Sequence, residues 1–379
     1  KAAPSFKTQA TAQSVSFAKS SVPPDTFPYN IWARLLRNTL TTADEHALIS
    51  DTSAGGVLPL RQALARHLYQ FRGLNVAPEQ IIIGAGTQTL YNLIVQLLGR
   101  SHVYALENPG YPQLAAAYQA NDVFCRYLPM DAQGIRADVL ENSGADILHI
   151  SPSHQFPTGI VMPVSRRYEL LHWAAKKSSR YIIEDDYDSE LRYYGRPVPA
   201  LQGLDRHGRV VYMGALSKVL PFFIRLSYMV LPPQLMPLYE QRRSLFRQGA
   251  SVPEQCVLAE YIESGELARQ VRRLRKEYQE KGELLGRLLV EAFGQDIVVG
   301  RLVSGVYCHI RLHSRLSEEE LRRRAERQGC RVLSMQSFYE TPSQETDKEF
   351  LLSFSKIPTC RLRDAVAALH GAWSEKEGY

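Results

Sequence analysis

Short apolar runs, many of them β-branched, alternate along the chain with longer segments whose apolar positions recur every three or four residues. Ile81-Ile82-Ile83, His102–Leu106, Ile147–Ile150, Tyr181-Ile182-Ile183, Val210–Met213 and Leu226–Leu231 read as strands. Between them lie helical patterns: Leu60 to about Tyr69, Leu90 through Ile94 to Leu97-Leu98, Ser165–Lys176 and Leu235–Phe246. Strands alternating with helices predict an α/β protein with a mostly parallel sheet flanked by helices. The tail changes character. Strands near Val306–Ile310 and Phe350–Phe354, with helices over Glu318–Gln328 and Leu362–Trp373, predict a smaller α+β domain. The start is polar from Lys1 to Gln13. Phe17, Phe27, Ile31, Trp32 and Leu35-Leu36 then form an apolar docking segment. The expected division is an arm over 1–16, a large domain over 17–249 and a small domain over 250–379.

In such sheets ligands bind beyond the carboxyl ends of the strands, and those ends carry unusual chemistry here. Ile81-Ile82-Ile83 runs into Gly84-Ala85-Gly86-Thr87-Gln88 at a helix start, which offers free backbone amides to an anion. It is not a dinucleotide fingerprint, because the third glycine would fall at Thr89. Strand His102–Leu106 leads to Tyr111. Strand Tyr181–Ile183 enters Glu184-Asp185-Asp186-Tyr187-Asp188, where alternation places Ile183, Asp185 and Tyr187 on one face. Val210–Met213 runs through Gly214 to Ser217-Lys218, followed by Arg225. An amine held at a strand end forms an imine with an aldehyde. A hydroxyl and a guanidinium beside it suit a phosphate. Pyridoxal phosphate needs this set: a lysine for its aldehyde, a carboxylate for its ring nitrogen, an aromatic face, and amides with an arginine for its phosphate.

Composition narrows the classes. Apolar residues make up 45% and charged residues 22%, as in a globular protein. A net charge of +6 is too mild to argue for nucleic acid, and the basic stretch Leu267–Leu289 reads as a solvated helix face. Cys125, Cys256, Cys308, Cys330 and Cys360 are scattered without a Cys-x-x-Cys pair. That speaks against zinc and disulfides and for a reducing, cytoplasmic setting. No apolar run is long enough to cross a bilayer. A chain beginning at Lys1 is expected to have had something upstream.

The motifs Ser151-Pro-Ser-His-Gln-Phe-Pro-Thr-Gly159, Ile183-Glu-Asp-Asp-Tyr-Asp-Ser-Glu190, Pro199-Ala-Leu-Gln-Gly203 and Leu226-Ser-Tyr-Met-Val-Leu-Pro232 carry a family likeness. The chain resembles fold-type-I pyridoxal-phosphate proteins of aminotransferase class I/II. More closely, it resembles the aminotransferase-like domain of MocR/GabR regulators, which follows a winged helix-turn-helix of the GntR family. The resemblance implies that Lys218 carries the cofactor as an internal aldimine and that Asp185 pairs with the ring nitrogen. It further implies that Tyr187 bonds the phenolic oxygen, that Tyr111 stacks on the ring, and that Gly86, Thr87, Gln88, Ser217 and Arg225 hold the phosphate. A homodimer is implied as well, and Phe17, Phe27, Ile31 and Trp32 are expected to bury against the partner subunit.

Three departures stand out. Phe156 replaces the asparagine of an Asn-Pro-Thr-Gly motif that touches the cofactor, leaving Ser153 or His154 to cover the contact. Phe222-Phe223 stands where Pro-Gly often precedes the phosphate arginine. Leu351-Leu352-Ser353-Phe354 lacks the arginine of an Arg-x-Ser-Phe motif that grips substrate carboxylates, with Arg361 as a nearby substitute. These departures favour a sensor of an amino compound, acting on DNA through an upstream winged helix-turn-helix. Imine exchange would be its signal, and little transaminase turnover is expected. The alternatives are an active aminotransferase and a sensor of the cofactor itself.

Overall fold

The computed structural model describes residues 15–42, 55–194, 198–246, 249–341 and 348–374. The polar stretch Lys1–Gln13 lies outside the described residues. The strands are, in chain order, β1 (Val15–Ser16), β2 (Ile81–Gly84), β3 (Tyr104–Asn108), β4 (Cys125–Asp131), β5 (Gly134–Ile135), β6 (Ile147–Ile150) and β7 (Tyr181–Asp186). β8 (Val210–Ala215), β9 (Ser227–Val230), β10 (Ile297–Val299), β11 (Tyr307–Leu312), β12 (Cys330–Arg331), β13 (Leu333–Ser334) and β14 (Lys348–Ser353) follow.

One large sheet runs β2-β9-β8-β7-β6-β3-β4-β5. The neighbours from β8 through β4 pair in parallel, whereas β9 lies antiparallel between β2 and β8. β2, β6, β8 and β9 are buried along their whole length, and β7 at every residue but Asp185, as strands covered by helices on both faces require. On one face Ile82, Ile183, Val211 and Met229 pack with Leu90 and Ile94 of helix Thr87–Leu98. On the other, Leu148, Ile182 and Val210 pack with Leu170 and Trp173 of helix Val164–Ala175. The carboxyl ends of β2, β3, β6, β7 and β8 therefore share one edge. Because β9 runs the other way, Arg225, two residues before it, reaches that edge too.

A second sheet, β10-β11-β14-β13, is antiparallel throughout. It is backed by helices Glu266–Phe293 and Leu362–Trp373, whose buried Leu285, Leu289, Leu369 and Trp373 share its core with Ile310 and Phe350. The start of the chain joins this part. β1 pairs in parallel with β12, and Phe17 O accepts from the Ser353 amide at 2.7 Å.

The docking segment finds its surface within the same chain. Phe17, Phe27 and Trp32 are buried, and Trp32 of helix Tyr29–Thr42 meets Tyr261 of helix Val252–Glu263 edge-on at 5.6 Å. These apolar residues thus need no partner subunit, which corrects the reason given for a dimer. Helix Pro112–Gln119 and strand β4, next to the short edge strand β5, half-exposed and interrupted by Pro129, escape the sequence pattern.

Candidate functional site

The exit of β7 shows how alternation sorts four acids. Glu184 is buried and accepts the amides of Leu201 and Gln202, at 2.9 and 2.8 Å. Asp186, on the same face, pairs with Arg72 at 2.8 Å and accepts from Tyr212 at 2.7 Å. Asp188 pairs with His154 at 2.7 Å. All three are committed to other side chains or to backbone. Asp185 points to the opposite face. Its Oδ2 accepts from Tyr91 at 3.0 Å and lies 3.7 Å from His149 Nε2, while its buried Oδ1 has no hydrogen-bond partner. His149 Nε2 is likewise without a partner, and His149 Nδ1 is 2.6 Å from the Tyr118 hydroxyl. Asp186 Oδ1 is also bare, but Arg72 already balances that charge. A buried bare carboxylate oxygen costs free energy until a donor arrives. Asp185 offers it toward Tyr111 and the sheet edge.

Lys218 closes a short turn, Leu216–Lys218, after β8. Its amine donates to Ser20 Oγ at 2.7 Å and lies over the Tyr307 ring, 5.2 Å from its centre. Gly86, Thr87, Tyr111, Ser217 and Arg225 line a neighbouring cavity of about 180 Å³. Gly86 has φ of 93° and opens helix Thr87–Leu98, so the first helical amides face this cavity. A Cβ on Gly86 would sit 2.8 Å from Arg225 Nη2. Glycine there lets the guanidinium lie against the backbone turn. Arg225 is itself left-handed (φ 47°) and stacks on Phe222 at 4.7 Å. The unusual Phe222-Phe223 pair thus leaves the arginine at the cavity and gives it a ring to rest on.

From Asp185 a second cavity of about 190 Å³ extends past Tyr111, Glu107 and Phe156 to Gln119, Tyr127 and Glu340. Burial pushes the Glu107 carboxyl up to about 8, although the Ser151 amide and Gln155 side chain bond to it. Burial also holds the Tyr187 hydroxyl well above its ordinary range. Tyr187 lies 3.2 Å from His154 Nδ1, and its ring stacks near that of His154. Burial disfavours the His154 cation, but the Asp188 charge and hydrogen bond outweigh it and raise the imidazole.

The structure brings together Gly86, Thr87, Tyr111, Asp185, Ser217, Lys218 and Arg225, with Tyr187 and His154 alongside. Gln88 is exposed on the first turn of the same helix. Ser153 belongs elsewhere: its hydroxyl accepts from Arg72 at 2.9 Å, within the Asp186 network on the far face of β7. Of the two residues suggested to cover the Phe156 replacement, His154 therefore has the position. Arg361 does not replace the missing carboxylate grip, since it lies 3.5 Å from Asp364 on the surface. Leu351 is buried with Met335 and Phe338, against Phe156, Tyr307 and Leu333. Sequence reasoning missed Ser20, Tyr91, His149 and Tyr307. A lone histidine inside the apolar strand Ile147–Ile150 was a usable signal, whereas Ser20 gave none.

The pattern of fold and strand-end chemistry has direct counterparts. The profile of aminotransferase class I and II matches residues 37–367, and the chain belongs to that family. Within it, the chain is an aminotransferase-like domain of the MocR type, as its relatives make plain. It is 34% identical over 95% of its length to an uncharacterised HTH-type transcriptional regulator, YdeL of Bacillus subtilis, and spans 77% of that protein. It is 31% identical over 92% of its length to the probable rhizopine catabolism regulatory protein MocR of Rhizobium meliloti, spanning 70% of it. Among solved structures, an archaeal alanine:glyoxylate aminotransferase superposes with a TM-score of 0.86 at 24% identity, covering 97% of this chain and 92% of the other. A Pyrococcus horikoshii kynurenine aminotransferase gives 0.84 at 23% identity, covering 97% and 93%. These structures share the fold.

Proposed function

We propose that the chain is the effector-binding domain of a MocR-type regulator, and that it holds pyridoxal phosphate through Lys218 and senses a primary amine. The bare Oδ1 of Asp185 carries this reading: Asp185 lines one cavity, Ser217 and Arg225 line the next, and Tyr111 borders both. Bound there, the cofactor supplies a carbonyl open to amines and an electron-withdrawing ring. Asp185 would accept the proton-bearing ring nitrogen, with Tyr91 and His149 fixing the carboxylate. The helix amides at Thr87, the Ser217 hydroxyl and Arg225 would bind the phosphate, and Tyr111 would cover the ring. Burial keeps the Tyr187 phenol protonated, so it is available as a donor.

Leu351, where the carboxylate arginine was expected, lies among apolar neighbours, and the small cavity it lines has Arg301 only at its exposed side. An amino acid would enter but sit loosely, which favours sensing over sustained turnover. The signal would pass to a winged helix-turn-helix head, with the domain acting as a homodimer. The test is direct. Protein incubated with pyridoxal phosphate and reduced with borohydride should carry the label on Lys218 by mass spectrometry, and Lys218→Ala should stay colourless. A label on another lysine overturns the assignment. Sustained keto-acid formation from common amino donors overturns the sensor in favour of an aminotransferase.

A further inference from the structure

Lys218 closes the turn that follows a strand of the large sheet, yet its nearest hydrogen-bond partner comes from the start of the chain. The amine donates to Ser20 Oγ at 2.7 Å, the Tyr307 hydroxyl lies 2.9 Å from Ser20 Oγ, and Lys218 Nζ is 3.5 Å from that same hydroxyl. The backbone around Ser20 is held by β12 and by the small sheet's β14 with the residues just after it. Phe17 N donates to Arg331 O at 2.8 Å, Phe17 O accepts from Ser353 N at 2.7 Å, and Ser21 N donates to Ser355 Oγ at 3.2 Å. Ser20 is half-buried and its neighbour Lys19 is exposed, so little packing fixes residues 18–20 in place. The Lys218 bond joins two separately built sheets through one short stretch of chain.

We infer that Ser20 is a positioning residue for Lys218, and that their bond couples the state of the amine to the segment Phe17–Ser21. The inference rests on the proposed role of Lys218 and adds its regulation. A primary ammonium has three N–H donors. Condensation with an aldehyde forms a C=N bond, expels the carbonyl oxygen as water and leaves the nitrogen at most one proton. The donor that Ser20 now receives is then lost or redirected. Ser20 keeps Tyr307 as its partner, and Tyr307 starts β11 of the small sheet. Occupying Lys218 therefore cuts the tie to the large sheet and leaves the segment attached to the small one alone.

Hydrogen–deuterium exchange on the full chain tests this, read on the peptide spanning Phe17–Ser21. Loss of one charge-assisted hydrogen bond should speed exchange there by about tenfold. The speeding is expected in wild type on adding pyridoxal phosphate, and in Lys218→Ala without it. Ser20→Ala should exchange fast from the outset and show no further response, while still taking up the cofactor by visible absorbance. Ser20→Thr, which keeps the hydroxyl, should restore the response and so separates coupling from mere packing. Unchanged or slower exchange in loaded wild type and in Lys218→Ala overturns the coupling, whatever the absorbance shows. Failure of wild type to take up the cofactor sinks the proposed function instead, and Lys218→Ala alone then decides whether the tie exists.

Discussion

The two ends of the site are built on opposite plans. At the end around Gly86 and Asp185, polar groups are left unfinished: Asp185 Oδ1 has no partner, the Thr87 helix opens onto a cavity, and Arg225 leans over Gly86. At the other end Leu351, Met335 and Phe338 close against one another, beside a cavity of about 90 Å³ that Arg301 and His309 also line. Unfinished polar groups are costly in a folded protein and persist where a ligand completes them. Under the proposed function, the contrast would mean that a cradle for the cofactor is kept while Leu351 stands where an arginine for an α-carboxylate was expected.

Placing a charge in the Leu351 cluster should have the largest effect. Leu351→Arg buries an unpaired guanidinium and should destabilise the protein by about 3–5 kcal/mol. Alanine or glutamate in solution should recover part of that loss in thermal melts. No recovery would show that the apolar cluster does not face the ligand space. Asp185→Asn should weaken pyridoxal phosphate binding by about 1.5–3 kcal/mol, roughly ten- to a hundredfold, by spectrophotometric titration. Asp186→Asn should leave affinity nearly intact and lower stability, since it strips Arg72 of its partner. Equal effects on affinity would erase the distinction between the two faces of β7.

Gly86→Ala forces a side chain into a backbone conformation at φ 93° and against Arg225, with an expected cost of about 1–3 kcal/mol in stability. Phosphate competition for the cofactor should weaken with it, whereas Gly144→Ala, with open space around its Cβ, should leave that competition unchanged. The smallest effect concerns Glu107. Its folded value is raised to about 8, above the ordinary 4.5, so the native state resists its ionisation. The stability it supports is present at low pH and is lost as pH rises from about 4.5 through about 8. Glu107→Gln should match wild type near pH 5 and exceed it near pH 8.5 in denaturant melts.

Much of this was legible in the chain itself, because strand ends in an α/β sheet are marked by abrupt changes of residue type. The runs into Gly86, Asp185 and Lys218 predict both the fold and the shared edge, and strict alternation separates Asp185 from Asp186. Order within the sheet was not legible. Nothing in Ser227–Val230 marks it as the antiparallel strand, yet that reversal is what delivers Arg225. Ser153 was misplaced because two adjacent residues after a strand leave on opposite sides, and local sequence does not say which. Ser20 was invisible for a different reason: its partner is distant in sequence, and a serine in a polar stretch carries no pattern. Trp32 and Phe27 signalled burial correctly, but apolarity names no surface, and the surface proved to be Tyr261 of the same chain.

The parallel pairing of β1 with β12 also has a mechanical side. The bonds that Val15 and Phe17 make to Gly329 and Arg331 lie across the strand axis. A tension drawn along the start of the chain would load them in shear together, and would not peel them one by one. The load would pass to β12 and, through the Phe17–Ser353 bond, to β14 of the small sheet. Whatever tugs on this end of the molecule would thus tilt one sheet against the other before it unravels either.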